Sequence, residues 1–158
     1  MRINDETGRL TAIRMVEPEL LAIAELVVDC NGEGCIDITA EVLRFVEQSG
    51  AGEGVLLLYL RHTSASLVIQ ENSDPDVQFD LLTALRRLAP EDAPWVHTVE
   101  GPDDMPAHVK TMLTGVSLHV PVCAGALSLG TWQGIYLVEH RRRLRRRVVI
   151  LQFIGSRG

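Results

Sequence analysis

Apolar positions along the chain alternate with polar ones or gather in short blocks, and the period changes from two to about 3.6 and back. Residues 1–14 hold no sustained period, although Leu10 and Ile13 are spaced to begin an edge strand. Glu19 to Cys30 is rich in Leu, Ile and Val, and Asn31-Gly32-Glu33-Gly34 separates it from Cys35-Ile36-Asp37-Ile38. An Asn-Gly turn between apolar stretches predicts a hairpin, because both residues tolerate the positive φ that tight turns need. Thr39 can cap a helix through Ser49, with Val42, Leu43 and Val46 at core spacing and Gly50 as its stop.

Gly54 to Arg61 is a near-continuous apolar strand, and Ala65 to Gln70 is the next. Asp74-Pro75 is a strong helix start: Asp accepts from orphan amides, and Pro at the first position gives up no hydrogen bond. That helix reaches Leu88 before Pro90, with Val77, Leu81, Leu82, Leu85 and Leu88 on one face and Asp80 off its centre. Trp95 to Thr98 reads as a short strand, ended by Gly101-Pro102. Asp103 or Asp104 caps a third helix to Thr114, which puts Asp104 and His108 on one side of its first turns. Val116–Val122, Ala126–Ser128, Gly134–Glu139 and Val148–Ile154 supply further strands. No repeat or linker divides them, so residues 19–158 read as one α+β domain of antiparallel strands and about three helices, behind a loose lead-in over residues 1–18.

A chain of 158 residues can bury roughly two thirds of the surface its unfolded form exposes, without a metal or disulfide to hold it. The three cysteines, Cys30, Cys35 and Cys123, are an odd number without a CxxC pair, which points to reduced thiols. The longest apolar runs are too short to cross a bilayer, and no basic-then-apolar leader opens the chain, so no membrane partner is expected and the cytoplasm is the expected address. Net charge is −6, and six of the fifteen Lys and Arg residues lie between Arg141 and Arg147; without those six it would be −12. Such a surface is poor for nucleic-acid phosphates, and nucleic acid is not an expected partner. The arginine run joins two apolar strands and reads as a solvated hairpin tip, with a phosphate or nucleic-acid contact as the alternative.

Chemistry concentrates in the fifty residues from Tyr59 to His108. Three of the five histidines, His62, His97 and His108, occur there with Glu71, Asp74, Asp80, Glu100, Asp103 and Asp104. Histidine and carboxylate bind divalent metals and move protons near neutral pH. The three imidazoles are candidate ligands of zinc or magnesium, although their spacing matches neither HExxH nor a zinc finger. Asp80, Glu100 and Glu71 are candidate bases or further ligands, while Asp74 is most simply a helix cap. Thr63 and Ser64 follow His62 at a strand end, and no GxSxG elbow surrounds Ser64 or Ser66. Thr131, Trp132 and Gln133 form a glycine-flanked turn whose amides and side chains suit an anion or a carbonyl.

The blocks HTSASLVIQENSDP, VHTVEGPDDMPAHVK and GVSLHVPVCAGALSLGTWQGIYLVEH, in this order and spacing from about Glu19 to Gly155, resemble the YjbQ family of small bacterial and archaeal proteins, the secondary thiamine-phosphate synthases. The resemblance implies an α+β fold with a β-sandwich core, and a homotrimer with polar clefts at or near subunit contacts. It also implies that His62, Thr63, Ser64, Glu71, Asp74, Asp80, His97, Glu100, Asp104, His108, Thr131, Trp132 and Gln133 stand at family-motif positions. The expected function is a metal-dependent enzyme that joins a hydroxymethylpyrimidine diphosphate to a thiazole phosphate, as its main reaction or beside another on a small phosphorylated or anionic metabolite. The alternative is a homotrimer that binds metal or phosphometabolite without turnover. The expected division gives His62, His97 and His108 to the metal, Asp80, Glu100 and Glu71 to catalysis, and Thr63, Ser64, Asp104 and Thr131 to Gln133 to substrate.

Overall fold

The structure, a computed structural model, describes Leu10 and residues 12–158. Eight strands and three helices follow in the order β1 (Leu20–Cys30), β2 (Gly34–Asp37), α1 (Thr39–Ser49), β3 (Ala51–Leu60), β4 (Ala65–Glu71), α2 (Pro75–Leu88), α3 (Asp104–Thr114), β5 (Ser117–Cys123), β6 (Ala126–Leu127), β7 (Gln133–Glu139) and β8 (Arg145–Arg157). A five-stranded antiparallel sheet, β1-β8-β3-β5-β6, faces a three-stranded one, β2-β7-β4. The chain is a single α+β domain of antiparallel sheets and three helices. Most of the lead-in lies outside the described residues. Leu10 and Ile13 are exposed and outside any strand, which corrects the edge strand expected there.

The alternation read from sequence fills the space between the sheets. Leu56, Leu58 and Leu60 of β3, Val149, Leu151 and Phe153 of β8, Leu67 of β4 and Ile135 and Leu137 of β7 are all buried, and Val42 and Val46 of α1 join the same core. Each such side chain contributes roughly 1.5–3 kcal/mol by leaving water. β3 and β8 approach closely at one end, where a Cβ on Gly155 would stand 2.1 Å from the Glu53 carbonyl oxygen. α2 lies over the outer side of the small sheet with an apolar cavity between Leu81, Leu82 and Leu85 and the sheet residues Val68, Tyr136 and Val138, while α3 is tied to β4 by Thr111 Oγ1 donating to the Ala65 carbonyl at 3.3 Å. No described helix is long and apolar enough to cross a membrane.

Both expected hairpins are corrected. β1 pairs with β8 and β2 with β7, so Asn31 to Glu33 crosses from the large sheet to the small one. Likewise β7 and β8 belong to different sheets, and His140 to Leu144 crosses back. The crossings lie side by side: Gly32, at φ +115°, would carry a Cβ 3.0 Å from the Arg142 carbonyl oxygen. A two-strand hairpin and a sheet-to-sheet crossing share the same local alternation and turn residues, so only the partner strands distinguish them. Cys30 and Cys35 therefore end up in different sheets, as free thiols.

Two smaller expectations also change. Thr39 opens α1 but does not cap it; Ile38 holds the cap position, and Thr39 Oγ1 accepts from the Ile135 amide at 2.9 Å. Trp95 to Thr98 forms no strand and pairs with neither sheet. Trp95 instead donates from Nε1 to the Pro90 carbonyl at 2.8 Å, and Val96 and Val99 stand in solvent.

Candidate functional site

The site begins with Asp104, the first residue of α3, whose side chain is 2% exposed. A carboxylate buried this far must find donors or lose its charge. Its Oδ2 lies 2.7 Å from His97 Nε2 and 3.3 Å from His108 Nε2. His108 is four residues further along α3 and so shares a face with Asp104, whereas His97 arrives from the loop after α2. The two rings meet edge to face with centroids 5.7 Å apart. Asp104 Oδ1 faces Arg141, whose Nη1 donates to it. Burial pushes the Asp104 carboxyl up, but the His97 hydrogen bond and the Arg141 charge outweigh that and hold it below the usual carboxylate range.

Arg141 is itself buried and fully used. Its Nε donates to Asp103 Oδ2 at 3.1 Å and its Nη2 to the Glu100 carbonyl at 2.9 Å. Asp103 Oδ2 also accepts the Arg142 amide at 3.0 Å, so it serves the crossover and does not cap α3. The crossover thus clamps the start of α3. Behind it, Glu139 at the end of β7 is 0% exposed and makes a bidentate pair with Arg147 of β8, at 2.6 Å through Nε and 2.6 Å through Nη2. That pair joins the two sheets through the interior, and Arg147 Nη2 also donates to Ser64 Oγ at 2.9 Å.

The expected site residues separate into three places. His97, His108 and Asp104 come together, with one donor atom from each lying within 4.8 Å of the others. His62 does not join them: its Nε2 accepts the Val148 amide at 3.1 Å, and it lines a cavity with Glu25 and Arg61. That hydrogen bond leaves the proton on Nδ1 and occupies Nε2, and burial with the nearby Arg147 charge disfavours the imidazolium. The convergence of all three histidines is corrected on this ground within one chain. Ser64 is spent on Arg147, and Thr63 is exposed with no hydrogen bond among the described residues.

Thr131, Trp132 and Gln133 lie at the other end of β7. Gln133 Oε1 accepts the Gly130 amide at 2.7 Å, and the Asn72 amide donates to the Trp132 carbonyl at 3.1 Å. With seven residues of β7 at roughly 3.3 Å each, the turn is more than about 20 Å from Arg141 along the strand, so it cannot position an anion at the His97–His108 pair of its own chain. Glu71 is at that end too, with Oε1 accepting the Ser73 amide at 2.8 Å and the Asp74 amide at 3.3 Å. Asp74 caps α2 through the Asp76 amide, as expected. Asp80 is exposed on α2, away from the imidazoles, and Glu100 reaches the site only through its backbone carbonyl. Within one chain Glu71 thus lies at the far end of β7 from the imidazoles, and no hydrogen bond among the described residues links Asp80 or the Glu100 carboxylate to them.

Sequence reasoning missed Arg141, Arg147 and Glu139, because a run of six arginines in seven residues reads as a solvated tip. One signal was available: Glu139-His140 closes a strand that is apolar from Ile135 to Val138, where a charge needs a buried partner. His140 is 1% exposed, with Nε2 2.7 Å from Ser66 Oγ and Nδ1 without a hydrogen-bond partner among the described residues.

The comparisons agree with this architecture. The family model for UPF0047 protein YjbQ-like chains matches residues 25–156. A UPF0047 protein of Synechocystis sp. is 45% identical over 83% of this chain and 90% of its own length. The UPF0047 protein YjbQ of Escherichia coli O157:H7 is 41% identical over 73% of this chain and 85% of its own. Among solved structures, an uncharacterized yjbq/upf0047 family protein of Clostridium acetobutylicum superposes with a TM-score of 0.77 at 37% identity, covering 82% of this chain and 98% of that one. A YbjQ-like protein of unknown function from Sulfolobus solfataricus gives a TM-score of 0.78 at 26% identity, covering 87% and 100%. With its family blocks, its fold and its relatives in agreement, this chain belongs to the YjbQ-like UPF0047 family.

Proposed function

We propose that this protein binds a divalent metal ion at His97, Asp104 and His108 and acts there on a small phosphorylated metabolite. One observation carries the reading: a single buried carboxylate oxygen faces two imidazole nitrogens, at 2.7 and 3.3 Å. Donors about 2.0–2.1 Å from a tetrahedral zinc are roughly 3.3 Å apart, so small shifts of these three atoms would complete a three-ligand set. Two imidazoles and a carboxylate suit zinc, whereas magnesium prefers oxygen ligands and keeps its waters. The ion would supply a Lewis acid for a phosphoryl oxygen and a counter-charge for a leaving diphosphate. His97 and His108 are 43% and 35% exposed, which leaves the outer side of the set open to ligand, while Arg141 keeps Asp104 ionised behind it.

The reaction proposed is the joining of a hydroxymethylpyrimidine diphosphate to a thiazole phosphate, as the main activity or beside another on a related anion. A second reading, binding without turnover, is favoured by one fact: among the described residues no further carboxylate joins His97, Asp104 and His108 in the cluster, so no separate base stands within it. Assembly as a homotrimer belongs to both readings. Leu21, Ile23, Val27, Tyr59 and Ile154 lie 47–62% exposed on the outer face of the large sheet, an apolar surface of the kind that associating chains cover. A cytoplasmic address fits three cysteines that are all free thiols.

Zinc titration with thiamine phosphate turnover, run on wild type and on His97→Ala/His108→Ala, tests this function. The expected result is one zinc per chain and a turnover that needs it, both lost in the folded variant. Zinc binding that the variant retains would remove the site, and zinc binding without turnover would leave the binding reading. Light scattering on the same samples should read three times 17.4 kDa; a mass of 17.4 kDa would end the trimer.

A further inference from the structure

Six arginines stand between Arg141 and Arg147, and the structure accounts for four of them. Arg141 is held by Asp103 and Asp104, Arg142 by Glu91, Arg146 by Asp29 at 2.8 Å, and Arg147 by Glu139. Arg143 and Arg145 have no carboxylate partner among the described residues. Both line a cavity of about 540 Å³ between the crossover and the loop that leads into α3, with Arg141, Arg142, Glu100 and Asp103 also on its walls. The size is within the range of small-ligand sites. Asp103 is hydrogen-bonded by Arg141 and the Arg142 amide, and Arg141 shares its one charge between Asp103 and Asp104, so the guanidinium groups of Arg143 and Arg145 face the cavity against the Glu100 carboxylate and a partly compensated Asp103.

We propose that this cavity is a phosphate-binding subsite, with Arg143 and Arg145 as the residues that grip the anion. Guanidinium groups match phosphate oxygens with paired N–H donors, and two like charges held in one concavity are relieved when a dianion lies between them. The Thr131 to Gln133 turn expected to hold the anion is at the far end of β7, which leaves this cavity as the basic one beside Arg141. Its connection to the imidazole cluster is direct: Arg141, on the cavity wall, bonds the Asp104 carboxylate whose other oxygen faces His97 and His108.

A compact phosphate or diphosphate is the ligand class, not a nucleic-acid backbone. Only two arginines of the run lack a carboxylate partner among the described residues, Glu100 and Asp103 stand on the same cavity wall, and the whole chain carries −6, which repels an extended polyanion. What the phosphate belongs to rests on the phosphorylated-metabolite reading above; where it binds rests on the cavity alone.

Calorimetric titration of the full chain, freed of metal with a chelator, with inorganic diphosphate tests the assignment. Arg143→Ser/Arg145→Ser is expected to weaken binding at least tenfold, while Arg146→Ser, which removes an exposed arginine of the same run paired with Asp29 outside the cavity, stays within twofold. Equal loss in both variants, or no loss in either, would overturn it. A single-stranded RNA oligonucleotide forms the second arm: binding tighter than diphosphate that falls steeply with salt would assign the arginines to nucleic acid instead. His97→Ala/His108→Ala keeps the diphosphate affinity if the subsite is right, even if zinc never binds, so the two proposals fail separately.

Discussion

Arg141 and Asp104, thirty-seven residues apart, meet in the interior: a guanidinium from the crossover between the sheets donates to the carboxylate that opens α3. The free oxygen of that carboxylate is the one facing His97 and His108. A sheet connection therefore sets the orientation of the candidate metal ligands.

Arg141→Lys keeps the charge but loses the fork that reaches Asp103, Asp104 and the Glu100 carbonyl together. It is expected to leave the chain folded and to weaken zinc binding about 10-fold to 100-fold, the usual range for a partner that orients a ligand. Arg141→Ala should cost more, since Asp103 and Asp104 stay buried without their counter-charge. Zinc affinity equal to wild type in the lysine variant would show that Arg141 does not act through Asp104.

Glu139 and Arg147 make the fold depend on one pair at the junction of its sheets. Arg147→Ala leaves Glu139 charged at 0% exposure and is expected to destabilise the chain by about 3–5 kcal/mol in urea unfolding. Replacing both, as Glu139→Leu/Arg147→Met, should recover much of that loss, because two apolar side chains need no partner. A single variant as stable as wild type would mean that the pair contributes nothing to joining the sheets.

His140 predicts an acid-sensitive fold. Burial first, then the Lys110 and Arg147 charges, lower its pKa to about 3, and its Nδ1 has no hydrogen-bond partner among the described residues. The unfolded imidazole takes a proton near pH 6.5, which the folded one refuses until about pH 3, so stability falls as pH drops through that window. The loss is on the order of a few kcal/mol by the acid end. Asp103 and Asp104, also held low, add to it below about pH 4. NMR titration should find the His140 ring neutral at pH 5; a midpoint near 6.5 would exclude its share.

Much of this protein was legible along the chain. Short apolar blocks bounded by turn residues located β3, β4, β7 and β8, because strands buried between two sheets read as near-continuous apolar runs. Asp74-Pro75 and Gly50 marked helix ends because their backbone chemistry acts within a few residues. The pairing of Asp104 with His108 follows from four-residue spacing on α3. These are local effects, and the sequence by itself determined them, together with the α+β class and the family.

The tertiary structure alone decided which strands pair, and with that which charges meet. Nothing local separates Asn31-Gly32 as a hairpin from Asn31-Gly32 as a crossing; β8 pairing with β1 settles it. Arg141 becomes a buried partner of carboxylates because the His140 to Leu144 crossing runs beside the start of α3, and Arg147 because β8 lies across from the end of β7, while Arg143 and Arg145 between them have no carboxylate partner among the described residues. His62 leaves the histidine cluster for the same reason, since the Val148 amide it serves belongs to a strand eighty-six residues away. Side-chain chemistry is written in the sequence, but its partners are fixed by long-range pairing, whose energy comes from burying both sheet faces at once.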